Sequence, residues 1–144
     1  MITSATTKSF YTELGQALHN LSIGGDVFKC ALYTSSATLN ADTTVYSSTN
    51  EVSGTGYTAG GNTLTNVDPV QLGGKGLYDF ANLTFSTLTV TGIYGALIYN
   101  STNGNRAVAA LNFGATYSPV AQNLVITFPS VTATTAIIRI KTND

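Results

Sequence analysis

Charge is what this sequence has least of. Asp, Glu, Lys and Arg make up 9% of its 144 residues, where soluble domains carry about 25%. A free monomer uses charge to stay in solution, and here Thr, Ser, Asn and Gly fill the polar positions instead, a composition suited to surfaces buried in an assembly or exposed on a hardened particle. The six basic residues, Lys8, Lys29, Lys75, Arg106, Arg139 and Lys141, are scattered along the chain, so no basic stripe for phosphate backbones is legible and nucleic acid is not an expected partner. No apolar run nears the ~20 residues that span a bilayer, and no basic amphipathic helix is present, so no membrane contact is expected either. Met1-Ile2-Thr3-Ser4-Ala5 lacks the basic and apolar regions of a signal peptide, which implies folding in the cytoplasm of the cell that makes the chain.

Reactive groups are equally scarce. With one cysteine, Cys30, no internal disulfide can form. Cys30 sits in the apolar run Val27 to Tyr33, the context of a buried, inert thiol rather than of a nucleophile. His19 is the only histidine. Near the end of a helix, it reads as a packed side chain or a partner for a terminal carbonyl before it reads as a general base. No Gly-x-Ser-x-Gly elbow accompanies it. Glu13, Asp26, Asp42, Glu51, Asp68 and Asp79 are too dispersed for a glycosidase carboxylate pair or a calcium loop. One histidine and one cysteine would need carboxylates to complete a zinc site. The clusters Gly54-Thr-Gly56, Gly60-Gly61 and Gly73-Gly74-Lys75-Gly76 match neither a P-loop nor a dinucleotide fingerprint and read as turns. The expectation is a non-enzyme with no catalytic, metal or cofactor residues.

What is present is material for a β core. Apolar residues amount to 43% of the chain, and its length suits one domain over residues 1–144 that buries roughly two-thirds of its unfolded surface. Phe10, Leu14, Ala17, Leu18 and Leu21 fall on one helical face, with Thr6, Thr7 or Ser9 as caps and Gly24-Gly25 as a stop, which predicts an amphipathic helix over about 7–21. Phe28, Cys30 and Leu32 then alternate with Lys29, Ala31 and Tyr33, a strand with one face in the core. Further strands are expected over Leu77 to Phe85, Leu88 to Tyr99, Ala107 to Phe113, Leu124 to Phe128 and Ala136 to Ile140. Asn103-Gly104 marks a hairpin. Closely spaced strands with turn residues between them predict a mainly β fold, an antiparallel sandwich or barrel over about 26–34 and 62–141 with one N-terminal helix.

Between them lies a polar stretch from Thr34 to Asn66, too long for an ordinary loop. Apart from a short helix expected around Asp42 to Ser48 and a short strand around Thr63 to Val67, it reads as an interaction arm over about 35–61. Tyr46, Asn50, Glu51, Val52 and Tyr57 are its candidate interface residues. Eight tyrosines accompany no tryptophan. Tyrosines on a sheet favour half-buried positions, protein interfaces or sugar faces.

The order of segments adds a resemblance. Lys8-Ser-Phe-Tyr-Thr-Glu-Leu-Gly-Gln-Ala-Leu-His-Asn20 is followed by Asp26-Val-Phe-Lys-Cys-Ala-Leu-Tyr-Thr34, by Asn50-Glu-Val-Ser-Gly-Thr-Gly-Tyr-Thr-Ala-Gly-Gly61 and by Gly95-Ala-Leu-Ile-Tyr-Asn100. Over most of its length the chain resembles a family of small tailed-bacteriophage structural proteins. The resemblance implies a virion protein, a head decoration or cement protein bound to the major capsid protein or to other virion proteins and to copies of itself. It supplies no catalytic residues. A clamp of this kind is expected to use the segment from about Thr38 to Asn66 and one sheet edge. A tail, neck or baseplate component shares the composition, a carbohydrate-binding adhesion module would use the tyrosines, and a small hydrolase would need a base beyond His19.

Overall fold

The computed structural model describes residues 1–141. In chain order the elements are β1 (Ala5–Thr6), α1 (Lys8–Gly15), β2 (Phe28–Thr34), β3 (Gly54–Thr55), β4 (Asn62–Thr63), β5 (Asn66–Leu72), β6 (Lys75–Phe80), β7 (Leu83–Val90), β8 (Ile93–Asn100), β9 (Arg106–Tyr117), β10 (Gln122–Ile126) and β11 (Ile138–Lys141). The fold is mainly β with one short helix near the N-terminus, as expected. The strands form a five-stranded sheet, β1-β9-β8-β2-β4, and two three-stranded sheets, β10-β7-β3 and β11-β6-β5, antiparallel throughout. The hairpin expected at Asn103-Gly104 joins β8 to β9, with Asn100 opposite Arg106.

One core lies between the sheets. Phe28, Cys30 and Leu32 from β2, Ala96 and Ile98 from β8 and Val108 from β9 meet Phe80, Phe85, Leu88 and Ile126 from the smaller sheets, with Phe10 of α1 closing the end. A second apolar cluster covers the opposite face of the five-stranded sheet: Ala31, Tyr33, Leu97, Tyr99, Ala107 and Ala110 pack under Ile2, Ala37 and Leu39. The alternation along β2 predicts one buried face, and the structure buries both. This explains the unbroken apolar run of β8, every residue of which except Tyr94 is buried, since a strand covered on both sides has no solvent face to alternate with. Each fully buried Leu of this second layer contributes about 1.5–3 kcal/mol relative to exposure.

The cover over that face comes largely from the stretch expected to be an interaction arm. Residues 35–61 are polar and, apart from β3, which pairs with β7, irregular, but they are tied repeatedly to the five-stranded sheet and its flanking segments. Thr3 N–H donates to Leu39 O at 2.8 Å, Tyr46 N–H to Asn105 O at 2.9 Å, Ala107 N–H to Thr44 O at 3.0 Å and Val52 N–H to Leu32 O at 3.0 Å. No helix forms over 42–48, and the strand expected around 63–67 is divided between β4 and β5. Removing the segment would therefore strip one face of the central sheet rather than release a folded core. Two other expected strands are each split by a turn, Leu77–Phe85 at Ala81-Asn82 and Leu88–Tyr99 at Thr91-Gly92. Gly92 has φ +80°, a conformation glycine adopts without the Cβ clash other residues incur.

The helix is shorter than the 7–21 expected. Thr7 occupies the N-cap position, yet its hydroxyl donates to Ala107 O at 2.9 Å and ties the helix start to β9 rather than capping it. At the other end Ala17 turns left-handed at φ +57°. Ala17 N–H donates to Leu14 O and Leu18 N–H to Glu13 O, the paired bonds of a Schellman stop. The apolar spacing continues through Leu18 and Leu21, and Leu21 still enters the core, but the chain has already reversed. A left-handed alanine costs about 1–2 kcal/mol, partly offset by the lower entropy of an unfolded chain holding alanine instead of glycine. Ala17→Gly is expected to raise stability by about 0.5–1 kcal/mol, read as a higher Tm; a lower Tm would contradict this account of the helix end.

Candidate functional site

Two polar clusters hold the side chains from which chemistry could be built. The first centres on Glu51, where the covering segment crosses the end of β2. Tyr57 Oη donates to Glu51 Oε1 at 2.5 Å, Gly60 N–H donates to the same oxygen at 2.7 Å, and Tyr46 Oη donates to Oε2 at 2.7 Å. The network continues into the sheet. Leu32 N–H donates to Tyr57 Oη at 2.9 Å, Tyr99 Oη donates to Gly60 O at 2.7 Å, and Tyr33 Oη donates to Ser47 O at 2.6 Å. Tyr46 stacks on Tyr99 with ring centroids 4.6 Å apart. A half-buried carboxylate with three donors is a latch: it holds two tyrosines and the Gly60 backbone on the sheet.

The tyrosines of this latch are tuned to stay protonated. Burial, then the nearby Glu51 charge, pushes Tyr99 up to about 12. Burial followed by the Glu51 hydrogen bond raises Tyr46 and Tyr57, and burial followed by the Glu51 charge raises Tyr33. Each folded value lies above the ordinary value of about 10. Their contribution to stability is therefore whole below pH 10 and is lost as pH rises through the folded values. Alkaline titration is expected to show tyrosinate absorbance at 295 nm rising together with loss of circular dichroism, beginning between pH 10 and 12. Titration of all eight tyrosines near pH 10 with the fold intact would contradict this.

The second cluster centres on His19, whose side chain is wholly buried. Its Nε2 lies 2.8 Å from Glu13 Oε2 and its Nδ1 lies 3.1 Å from Asn100 Nδ2. Asn100 Oδ1 accepts the N–H groups of Thr102 and Asn103, each at 3.1 Å, which fixes the amide orientation and makes Nδ2 the donor toward the ring. Both ring nitrogens of His19 are thus within hydrogen-bond distance of a partner. Arg106 Nη1 donates to Glu13 Oε1 at 3.0 Å, and Asn100 Nδ2 also lies 2.8 Å from Asp26 Oδ2. The cluster joins the helix end, the loop before β2 and the β8–β9 turn. It has the Glu-His-Asn composition of a catalytic relay but the partners of a structural one, because neither imidazole nitrogen is turned toward a nucleophile.

Cys30 is fully buried in the main core, where burial pushes its thiol up to about 12. At pH 8 it is held as the unreactive thiol. Ellman's reagent is expected to leave the folded protein unlabelled and to titrate one thiol on denaturation; rapid labelling of the native chain would contradict this burial.

Of the five expected interface residues, Tyr46, Glu51 and Tyr57 come together, while Val52 and Asn50 lie apart from them. Tyr46, Glu51 and Tyr57 form the latch. Val52 is 4% exposed and belongs to the main core. Asn50 is exposed at φ +62°, its carbonyl accepting from Thr34 N–H at 3.0 Å and its Nδ2 donating to Ser36 O at 3.2 Å, so it serves as a turn residue. Gly60 joins the network from within the same segment, and Tyr33 and Tyr99 join it from β2 and β8, contacts across strands that leave no local spacing to read. Three of the scattered basic residues also converge: Lys75, Arg139 and Lys141 line a groove of about 230 Å3. Lys75 Nζ donates to Ala133 O and Arg139 Nη1 to Thr134 O, so two of these cations are anchored to their own chain. A shallow concavity of about 880 Å3 is lined by Met1–Ser4, Ser35, Tyr94 and 112–114, with no carboxylate, imidazole or thiol on its wall. No cluster of three or more metal-ligating His, Cys, Asp or Glu side chains occurs among the described residues. Comparison of the chain with protein-family models, curated proteins and solved structures gives no match.

Proposed function

We propose that this chain is a non-enzymatic structural protein of a bacteriophage virion, a decoration or cement protein that stabilises the head lattice by contacts with the major capsid protein and sister subunits. The observation that carries this reading is where the ionisable groups are used. Glu13, His19, Asp26, Glu51 and Arg106 are joined in internal hydrogen bonds, so the groups a reactive centre would need are engaged in holding the fold. The outward surface over residues 35–61 offers hydroxyl groups, one exposed large apolar side chain, Val45, and one exposed charge, Asp42, a charge-poor face suited to a neighbour of the same kind. A sheet covered on both faces makes the sturdy body that such a role requires, and the resemblance of segment order to small phage structural proteins points the same way.

Because the covering segment belongs to the fold, the test uses its surface rather than its deletion. Purified chain is expected to cosediment with phage heads, and the exposed pair Thr38→Glu with Val45→Glu to weaken that binding at least tenfold with circular dichroism unchanged. Undiminished binding would remove residues 35–61 from the contact. Binding to tails and not to heads would replace decoration by a tail role, and turnover of a peptidoglycan or ester substrate by the purified chain would overturn the non-enzymatic reading.

A further inference from the structure

The three sheets have six edges, and five of them carry a device against further pairing. β1, β3 and β4 are two residues long, too short to template another strand. β5 contains Asp68 and Pro69 and slips register between Val67 and Val70, and β11 carries Arg139 and Lys141. Short length, charge, proline and irregular register are the means by which natural sheets keep their edges from joining. The sixth edge is β10, Gln122-Asn-Leu-Val-Ile126, and it has none of them. It pairs with β7 on one side, and among the described residues no strand takes the other. The irregularity in that pairing lies on β7, where Ser86 and Thr87 both oppose Asn123, leaving β10 itself straight.

The surroundings of this edge are apolar. Val125 is 53% exposed, Val120 71% and Tyr117 45%. A groove of about 280 Å3 runs beside β10, lined by Phe113, Tyr117 and residues 124–127. No charged residue occurs from Ala107 to Ile138, so the edge and its flanks form one uncharged surface. We propose that β10 is a self-association edge, pairing antiparallel with β10 of a second copy across a two-fold axis so that two three-stranded sheets become one of six strands.

A second copy is the occupant this edge fits. Its unpaired backbone groups need an extended strand, and an uncharged strand meeting itself about a two-fold axis brings no like charges together and closes without forming a fibre. Five paired residues span about 17 Å, which falls short of the roughly 800 Å2 per partner that a stable interface buries. Tyr117, Val120 and the groove supply the rest. The inference rests on the sheet edges and does not depend on a virion role.

The test is sedimentation velocity of the full chain from about 1 to 100 μM. The wild type is expected to be a dimer through the upper part of that range. Val125→Lys is expected to be a monomer at every concentration with unchanged circular dichroism, since the exposed Val125 side chain does not hold the fold and, with Leu124 on the axis, the two lysines would be diagonal neighbours on one face of the new sheet. Val70→Lys, on the guarded edge strand β5, is expected to leave the dimer intact. Hydrogen exchange on the wild type gives a reading free of any variant: amides within 122–126 are expected to be slower at high concentration than at low. A wild-type monomer throughout, a dimer that survives Val125→Lys, or concentration-independent exchange of β10 would overturn the proposal.

Discussion

Glu51→Ala is expected to lower stability by about 3 kcal/mol or more, because it leaves the Tyr46 and Tyr57 hydroxyls and the Gly60 N–H without the acceptor that holds them, at about 1–3 kcal/mol for each buried donor. Both tyrosine hydroxyls are partly reachable by water, which keeps the total toward the lower end of that sum. The loss is expected to be local first. Hydrogen exchange should rise across residues 46–60 before it rises in β8 and β9, since the carboxylate joins the covering segment to the sheet without taking part in the core itself. Glu51→Gln retains one acceptor oxygen but puts an amide donor where the second stood. It is expected to fall between wild type and alanine in urea denaturation. A Glu51→Ala chain within 0.5 kcal/mol of wild type would show that the latch is ornamental and that the covering segment is held by its apolar contacts alone.

Gly61→Ala is expected to be the more damaging substitution. Gly61 has φ +74°, and a Cβ placed there would stand 1.8 Å from Cys30 O and 2.5 Å from Cys30 C. These are backbone atoms of β2 in the centre of the sheet, so no side chain can turn aside to make room, and the left-handed conformation adds about 1–2 kcal/mol for any residue with a Cβ. To accept alanine, the chain must lift residues 60–63 from β2, which breaks the β2–β4 pairing at Cys30 and Asn62 and withdraws Gly60 from both Glu51 and Tyr99. The expected result is a chain that is insoluble, or that melts well below wild type with the Tyr46–Tyr99 stack lost from the near-ultraviolet circular dichroism. Gly74→Ala is the control. Gly74 is also left-handed, at φ +71°, but a Cβ there meets nothing within 4 Å, so only the conformational cost remains. Equal effects at the two positions would contradict the close approach of the covering segment to β2.

How much of this was legible in the sequence depends on how local each determinant is. The β8–β9 hairpin could be read because Asn103-Gly104 and its flanking apolar runs are neighbours along the chain. The β2 strand, the mainly β class and the presence of an N-terminal helix could be read for the same reason. The helix end could not, because the reversal occurs at an alanine where glycine is the usual signal, and the apolar spacing continues past it through Leu18 and Leu21. Splits at Ala81-Asn82 and Thr91-Gly92 fall inside runs whose composition stays strand-like on both sides. The covering segment was the largest departure. Apart from the two-residue pairing of β3 with β7, its backbone pairings are single bridges, Ile2 with Leu39, Val45 with Arg106 and Tyr33 with Glu51, which leave no periodic pattern.

The candidate site shows the same limit. Tyr46, Glu51 and Tyr57 were singled out because they fall within the polar stretch, and they do share one network. Their orientation depends on Tyr99 and Leu32, contributed by separate strands, which no local spacing in the sequence marks. His19 was read as a packed residue of the helix end, and Glu13 lies close enough in sequence to be a natural partner. Asn100, Asp26 and Arg106 reach it only through the sheet topology.

Electron cryomicroscopy of phage particles assembled with and without this chain tests the central claim most directly. The account predicts discrete β-rich density of this size repeated on the head lattice of the first particles and missing from the second. Purified particles that contain none of the chain, with identical maps from the two preparations, would contradict it.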